Sequence, residues 1–174
     1  MKILLPLLVI LVLASVYLGY KQIVQTPKKG SATIKSITNT TPSPSNRELK
    51  TFQSKIMKFT IALPDKLSAI DESSRVKIQS SKGEIFVNRN GTQFNDLDTY
   101  LSNFDQTTQL DISLDENMII NNNVARKRIS KNPNIGIEKT YFIYAENYVY
   151  KISTSSEDLY IDLDQIAQSF RYTP

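Results

Sequence analysis

The chain has 174 residues and a formal net charge of +4, with neither histidine nor cysteine and only five glycines. Those absences exclude a His-based triad, an imidazole base or metal ligand, a thiol nucleophile, an iron–sulfur cluster, the usual structural zinc and a glycine-rich phosphate loop. The basicity also excludes less than it suggests: residues 1–45 carry five lysines and no acid, whereas residues 46–174 carry one more acid than cations, so no basic nucleic-acid-binding domain is present.

Ile3 to Tyr20 is a run of eighteen uncharged residues between Lys2 and Lys21. At 1.5 Å per residue it makes a helix of about 27 Å, close to the hydrocarbon thickness of a bilayer. It has no polar stripe, and Tyr17 and Tyr20 stand where rings favour the membrane interface. A transmembrane helix is therefore predicted over residues 1–20. Ala14-Ser15-Val16-Tyr17 matches a signal-peptidase site poorly, which favours a retained anchor over a cleaved signal. The lysines that follow the run argue for a cytoplasmic domain. The very short segment before it argues for export, and the expectation is a single-pass protein of the cell membrane with its domain extracytoplasmic.

Residues 21–50 lack an apolar period and include Thr40-Thr41-Pro42-Ser43-Pro44-Ser45, the composition of a flexible linker. Such a linker spans roughly 30 Å root-mean-square. Residues 51–174 suffice for one core. Met57, Phe59, Ile61 and Leu63 alternate with Lys58, Thr60 and Ala62 in a strand ending at Pro64. Val76 and Ile78, the turn Ser80-Ser81-Lys82-Gly83, and Ile85 and Val87 read as a hairpin. Asn95 reads as a helix N-cap, followed by Leu97, Tyr100, Leu101 and Phe104 at helical spacing. Short strands are expected over 110–114, 117–120 and 124–129, with Asn121-Asn122-Asn123 as a tight turn. Residues 137–144 and 148–154 flank Ala145-Glu146-Asn147 as a second hairpin. Ser155 with Asp158 resembles a capping box for a last helix whose stripe is Leu159, Leu163, Ile166 and Phe170. The fold class is α+β, a mostly antiparallel sheet with two main helices.

Few residues suggest chemistry. Ser74-Arg75-Val76-Lys77 has the Ser-x-x-Lys spacing of penicillin-binding enzymes, but it reads as a strand and lacks the partner motifs. Asp158 and Asp162 share a helix face within reach of a cation, whereas Asp162 and Asp164 point apart; acids favoured by the helix N-terminus explain them as well. Arg126, Lys127, Arg128 and Lys131 form the domain's basic cluster, with Arg126 and Arg128 on one strand face. Anionic lipid, a wall polymer or an acidic partner would suit them, and so would the plain role of a charged sheet edge. Tyr141, Tyr144, Tyr148 and Tyr150 gather on neighbouring strands, either as a recognition surface, with Tyr148 and Tyr150 as contacts, or as sheet packing.

Three segments, Phe59-Thr60-Ile61-Ala62-Leu63-Pro64, Tyr148-Val149-Tyr150-Lys151-Ile152-Ser153 and Ile166-Ala167-Gln168-Ser169-Phe170-Arg171-Tyr172, resemble the PsbP-like domain family of photosystem II accessory and small exported bacterial proteins. The chain has Leu67 where relatives commonly carry tryptophan after the first proline. The resemblance implies an α/β/α sandwich over residues 52–174 and carries no catalytic residue with it. The function expected is a non-enzymatic binding or assembly module held at the membrane, without cofactor or metal, meeting a protein or an anionic envelope component. A carboxylate-dependent envelope hydrolase, or the same module facing the cytoplasm, is the alternative.

Overall fold

The computed structural model describes residues 49–174, so the predicted membrane helix and nearly all of the linker lie outside the described residues. Among the described residues no helix is long and apolar enough to cross a membrane. Two antiparallel sheets form. The smaller joins β1 (Leu49–Ser54), β2 (Phe59–Pro64) and the two-residue β10 (Arg171–Tyr172) in the order β1-β2-β10. The larger has the order β3-β4-β5-β9-β8-β7-β6, built from β3 (Ser68–Glu72), β4 (Arg75–Ser80), β5 (Gly83–Gly91), β6 (Asp111–Ile120), β7 (Asn123–Asn132), β8 (Gly136–Ala145) and β9 (Tyr148–Thr154). Helix α1 (Leu97–Thr108) lies on one face of the large sheet; helix α2 (Tyr160–Ser169), entered through a 3₁₀ turn, lies on the other with the small sheet.

The period-two alternation decides the layers. Tyr141, Ile143, Tyr150 and Ile152 point to the side of α2 and the small sheet, where they meet Phe59, Ile61, Leu163, Ile166 and Phe170 in the main core. The Phe170 ring stacks on Phe59 at 5.6 Å and meets Tyr150 at 4.8 Å. Phe142 and Val149 point the other way, onto Leu97 and Leu101 of α1. The stripe expected on the last helix is realised: Leu159, Leu163, Ile166 and Phe170 are fully buried.

Several boundaries move. The linker expected to residue 50 ends earlier, because Leu49 and Lys50 pair with Pro64 and Leu63 in β1. With its Leu-Lys-Thr-Phe-Gln-Ser sequence, β1 has too few apolar residues to announce itself; its partner β2 defines it. The two short strands expected over 110–120 are one strand with an irregularity between Ile112 and Leu114. Asp96, not Asn95, caps α1, accepting from the Thr99 backbone N–H at 2.7 Å and its hydroxyl at 2.9 Å. Both bonds hold the Asp96 carboxyl below its usual pKa. The Ser155–Asp158 capping box does not form: the 3₁₀ turn has Ser156 at its N-cap without a side-chain bond there, and the Ser156 hydroxyl donates instead to the Lys82 carbonyl at 2.7 Å. The asparagine turn does form, with Asn121 and Asn122 at φ 46° and 68°, the left-handed pair that suits a tight hairpin. Asn121 Nδ2 then donates to the Gln168 and Phe170 carbonyls at 3.1 and 2.7 Å, which ties this turn to the C-terminal end of α2.

Candidate interaction surfaces

Alternation puts Arg126 and Arg128 side by side on the α1 face of β7, as the sequence suggests. What it does not reveal is their company. Asp115 stands directly across on β6, and α1 brings Asp98 and Asp105 overhead. Arg126 pairs with Asp98 and, at 3.1 Å, with Asp115; Arg128 reaches Asp105 at 2.7 Å and Asp115 at 3.1 Å. The Arg128 side chain is only 6% exposed. Burial alone would pull its pKa down, but bonding to Asp105 and Asp115 leaves it above the ordinary value. Its guanidinium also lies 5.8 Å from the Phe142 ring. These two arginines fasten α1 to the sheet. Lys127 points to the opposite face and meets Glu116 at 3.1 Å; Lys131 is exposed on the far end of the strand.

The tyrosines divide in the same way. Tyr150 is fully buried, and its hydroxyl donates to the Met57 carbonyl at 2.6 Å, so it is core rather than contact surface. Burial raises its pKa to about 12. Tyr141 is also buried and donates to Asp164 Oδ1 at 2.6 Å; burial first, then the Asp164 carboxylate, push its pKa up. Tyr144 donates to the Phe94 carbonyl in the segment before α1. Tyr148 is half-buried, with the Arg89 guanidinium 4.7 Å above its ring.

Several of the acids are spent in pairs. Asp162 is buried and meets Lys66 at 2.8 Å, while Asp164 on the next helix face holds Lys139 at 2.7 Å. Asp158 belongs to the 3₁₀ turn and not to the helix that carries Asp162, so the shared face expected for them does not arise. Among the described residues no three acids converge on a metal-sized site. Ser74 sits in the β3–β4 turn and Lys77 in β4 against Glu84, which removes the helical geometry that Ser-x-x-Lys chemistry needs. Two of the hollows among the described residues open on the α2 side. One of about 260 Å³ lies between β2 and the Asn121 turn, lined by Thr51, Thr60, Asn121, Ser169 and Arg171 among others, with no acid. The other, about 510 Å³ over the outer surface of α2, has Asp164 as its one charged residue.

The seven-stranded antiparallel sheet with a helix on each face and a small terminal sheet makes an α+β sandwich. The solution structure of cyanobacterial PsbP (CyanoP) from Synechocystis sp. PCC 6803 superposes with a TM-score of 0.51 at 10% identity, over 82% of this chain and 98% of that one. The domain therefore has a PsbP-like fold. A crystal structure of a Pseudomonas aeruginosa protein of unknown function aligns at TM-score 0.37 and 12% identity, over 64% of this chain and 86% of that one. No family model matches the chain. No curated protein matches it either.

Proposed function

We propose that this chain is a membrane-tethered, non-enzymatic binding module, presented outside the cytoplasmic membrane on its N-terminal segment. The observation that carries the reading is where the charges go. The pairs Arg126 and Arg128 with Asp98, Asp105 and Asp115, and Lys139 with Asp164, hold helices on the sheet. Carboxylates spent this way are structural, and one of the two hollows contains none. Of the residues lining these two hollows Asp164 is the one acid open to the hydrolase alternative, and both of its oxygens are engaged by Lys139 and Tyr141. The eighteen uncharged residues before Lys21 supply the tether.

The test is protease accessibility of the domain in intact and in permeabilised cells, with the membranes washed in carbonate. Digestion from outside, with the full-length chain held in the pellet, supports the tethered extracytoplasmic module. Protection until the membrane is opened places the module on the cytoplasmic side, and release by carbonate removes the tether from the proposal.

A further inference from the structure

The cations that no carboxylate claims gather elsewhere than in the basic cluster. Among the described residues Lys55, Lys58, Lys82, Arg89, Lys131 and Arg171 have no acidic partner. Four of the six collect at the pole formed by the β1–β2 turn. Lys55 and Lys58 are exposed within that turn. Arg89 donates to the Ile56 carbonyl at 3.0 Å, and Arg171 stands across from Thr60 on the neighbouring strand. The turn buries Met57 and leaves Ile56, between the two lysines, 57% exposed. Tyr148 under Arg89 and the half-buried Tyr172 stand beside it. The acid of this pole, Glu146, accepts from the Tyr172 hydroxyl at 2.7 Å.

We propose that this pole docks on an anionic lipid surface. An exposed aliphatic side chain between two lysines on a convex turn lets the ammonium groups stay among headgroups while Ile56 enters the acyl boundary. Tyrosine is a residue of that same interface. An acidic protein would satisfy the cations but leave Ile56 without an apolar seat. The chain enters the domain at Leu49, the other end of β1, about 17 Å away at the rise of a strand. On the tethered-module reading, on which the biological setting of this inference rests, the domain then has a membrane contact of its own besides the tether.

The full-length chain is reconstituted into phosphatidylcholine vesicles, washed with carbonate, and mixed with labelled vesicles containing phosphatidylglycerol. Capture of the labelled vesicles is expected, falling with added salt. It should weaken about 25-fold in Lys55→Ser with Lys58→Ser, at roughly fivefold per cation. Ile56→Ser should lower it further, whereas Lys82→Ser, in the turn before β5 at the other end of the sheet, should leave it unchanged. Thermal unfolding of each variant checks that the turn changes leave the fold intact. Equal capture by the double variant, or an equal loss with Lys82→Ser, overturns the proposal, as does binding of polyglutamate in place of vesicles. If carbonate strips the protein from its own vesicles, the tether fails separately, and the released chain mixed with phosphatidylglycerol vesicles still decides the docking.

Discussion

Replacing Arg128 by alanine tests whether α1 is held by charge. The side chain is almost wholly buried and makes two charge-assisted bonds, to Asp105 at 2.7 Å and Asp115 at 3.1 Å. Such bonds contribute about 1.5–3 kcal/mol each when fully desolvated. Here the two carboxylates are 33% and 31% exposed and rehydrate once freed, so the lower end applies. Loss of the guanidinium's contact with the Phe142 ring adds a fraction of that. The net expectation is a loss of about 3 kcal/mol, or about 10 °C in Tm for a domain of this size. Thermal and urea unfolding followed by circular dichroism measure it. Lys127→Ala, one residue away on the opposite face with a half-exposed partner in Glu116, should cost under about 0.5 kcal/mol. A double-mutant cycle of Arg128→Ala with Asp105→Ala should return a coupling of about 1–2 kcal/mol. If Arg128→Ala is as mild as Lys127→Ala, or the coupling vanishes, charge does not hold the helix, and the apolar contact of Leu97 and Leu101 alone carries it.

Three further outcomes follow from the same geometry. Tyr150→Phe strands the buried Met57 carbonyl and should cost about 1–2 kcal/mol in urea unfolding. Tyr141 and Tyr150 both have raised pKa values when folded, so the folded state holds more protons than the unfolded state above the ordinary tyrosine pKa. Stability should therefore stay level below about pH 10 and fall as pH rises from there toward 12, with these two phenolates appearing only on unfolding in an absorbance titration. Gly83→Ala forces a side chain onto φ +135° with its Cβ 3.0 Å from that of Ser156, and a loss of about 1–3 kcal/mol is expected by chemical denaturation.

The elements with strong periods were legible. β2, the β8–β9 hairpin and α2 each bury an uninterrupted stripe, and their positions follow from it. The same holds for the paired asparagines, whose tolerance of left-handed backbone marks a turn. β1 and β3 were not legible, because their residues are mostly exposed and the strands exist through their neighbours' hydrogen bonds. The partners of the candidate surface residues were hidden for a related reason. Arg126-Lys127-Arg128 looks like a basic patch in one dimension, while its neutralising acids lie at residues 98, 105, 115 and 116. The unpaired cations are scattered at 55, 58, 89 and 171, and only the fold collects them. A signal was present in Lys55-Ile56-Met57-Lys58, a tight turn carrying two apolar residues where polar ones are usual.

The small sheet joins residues from opposite ends of the domain. β10 pairs with Phe59 and Thr60, and where β10 stops the ladder continues through a side chain: the Ser169 hydroxyl accepts from the Ala62 backbone N–H at 2.8 Å. During synthesis, β1 and β2 emerge more than a hundred residues before the partners that close them. Phe59 and Ile61 therefore have no finished core until residue 172 has left the ribosome, and the domain completes its fold after translation of its last strand, not along the way.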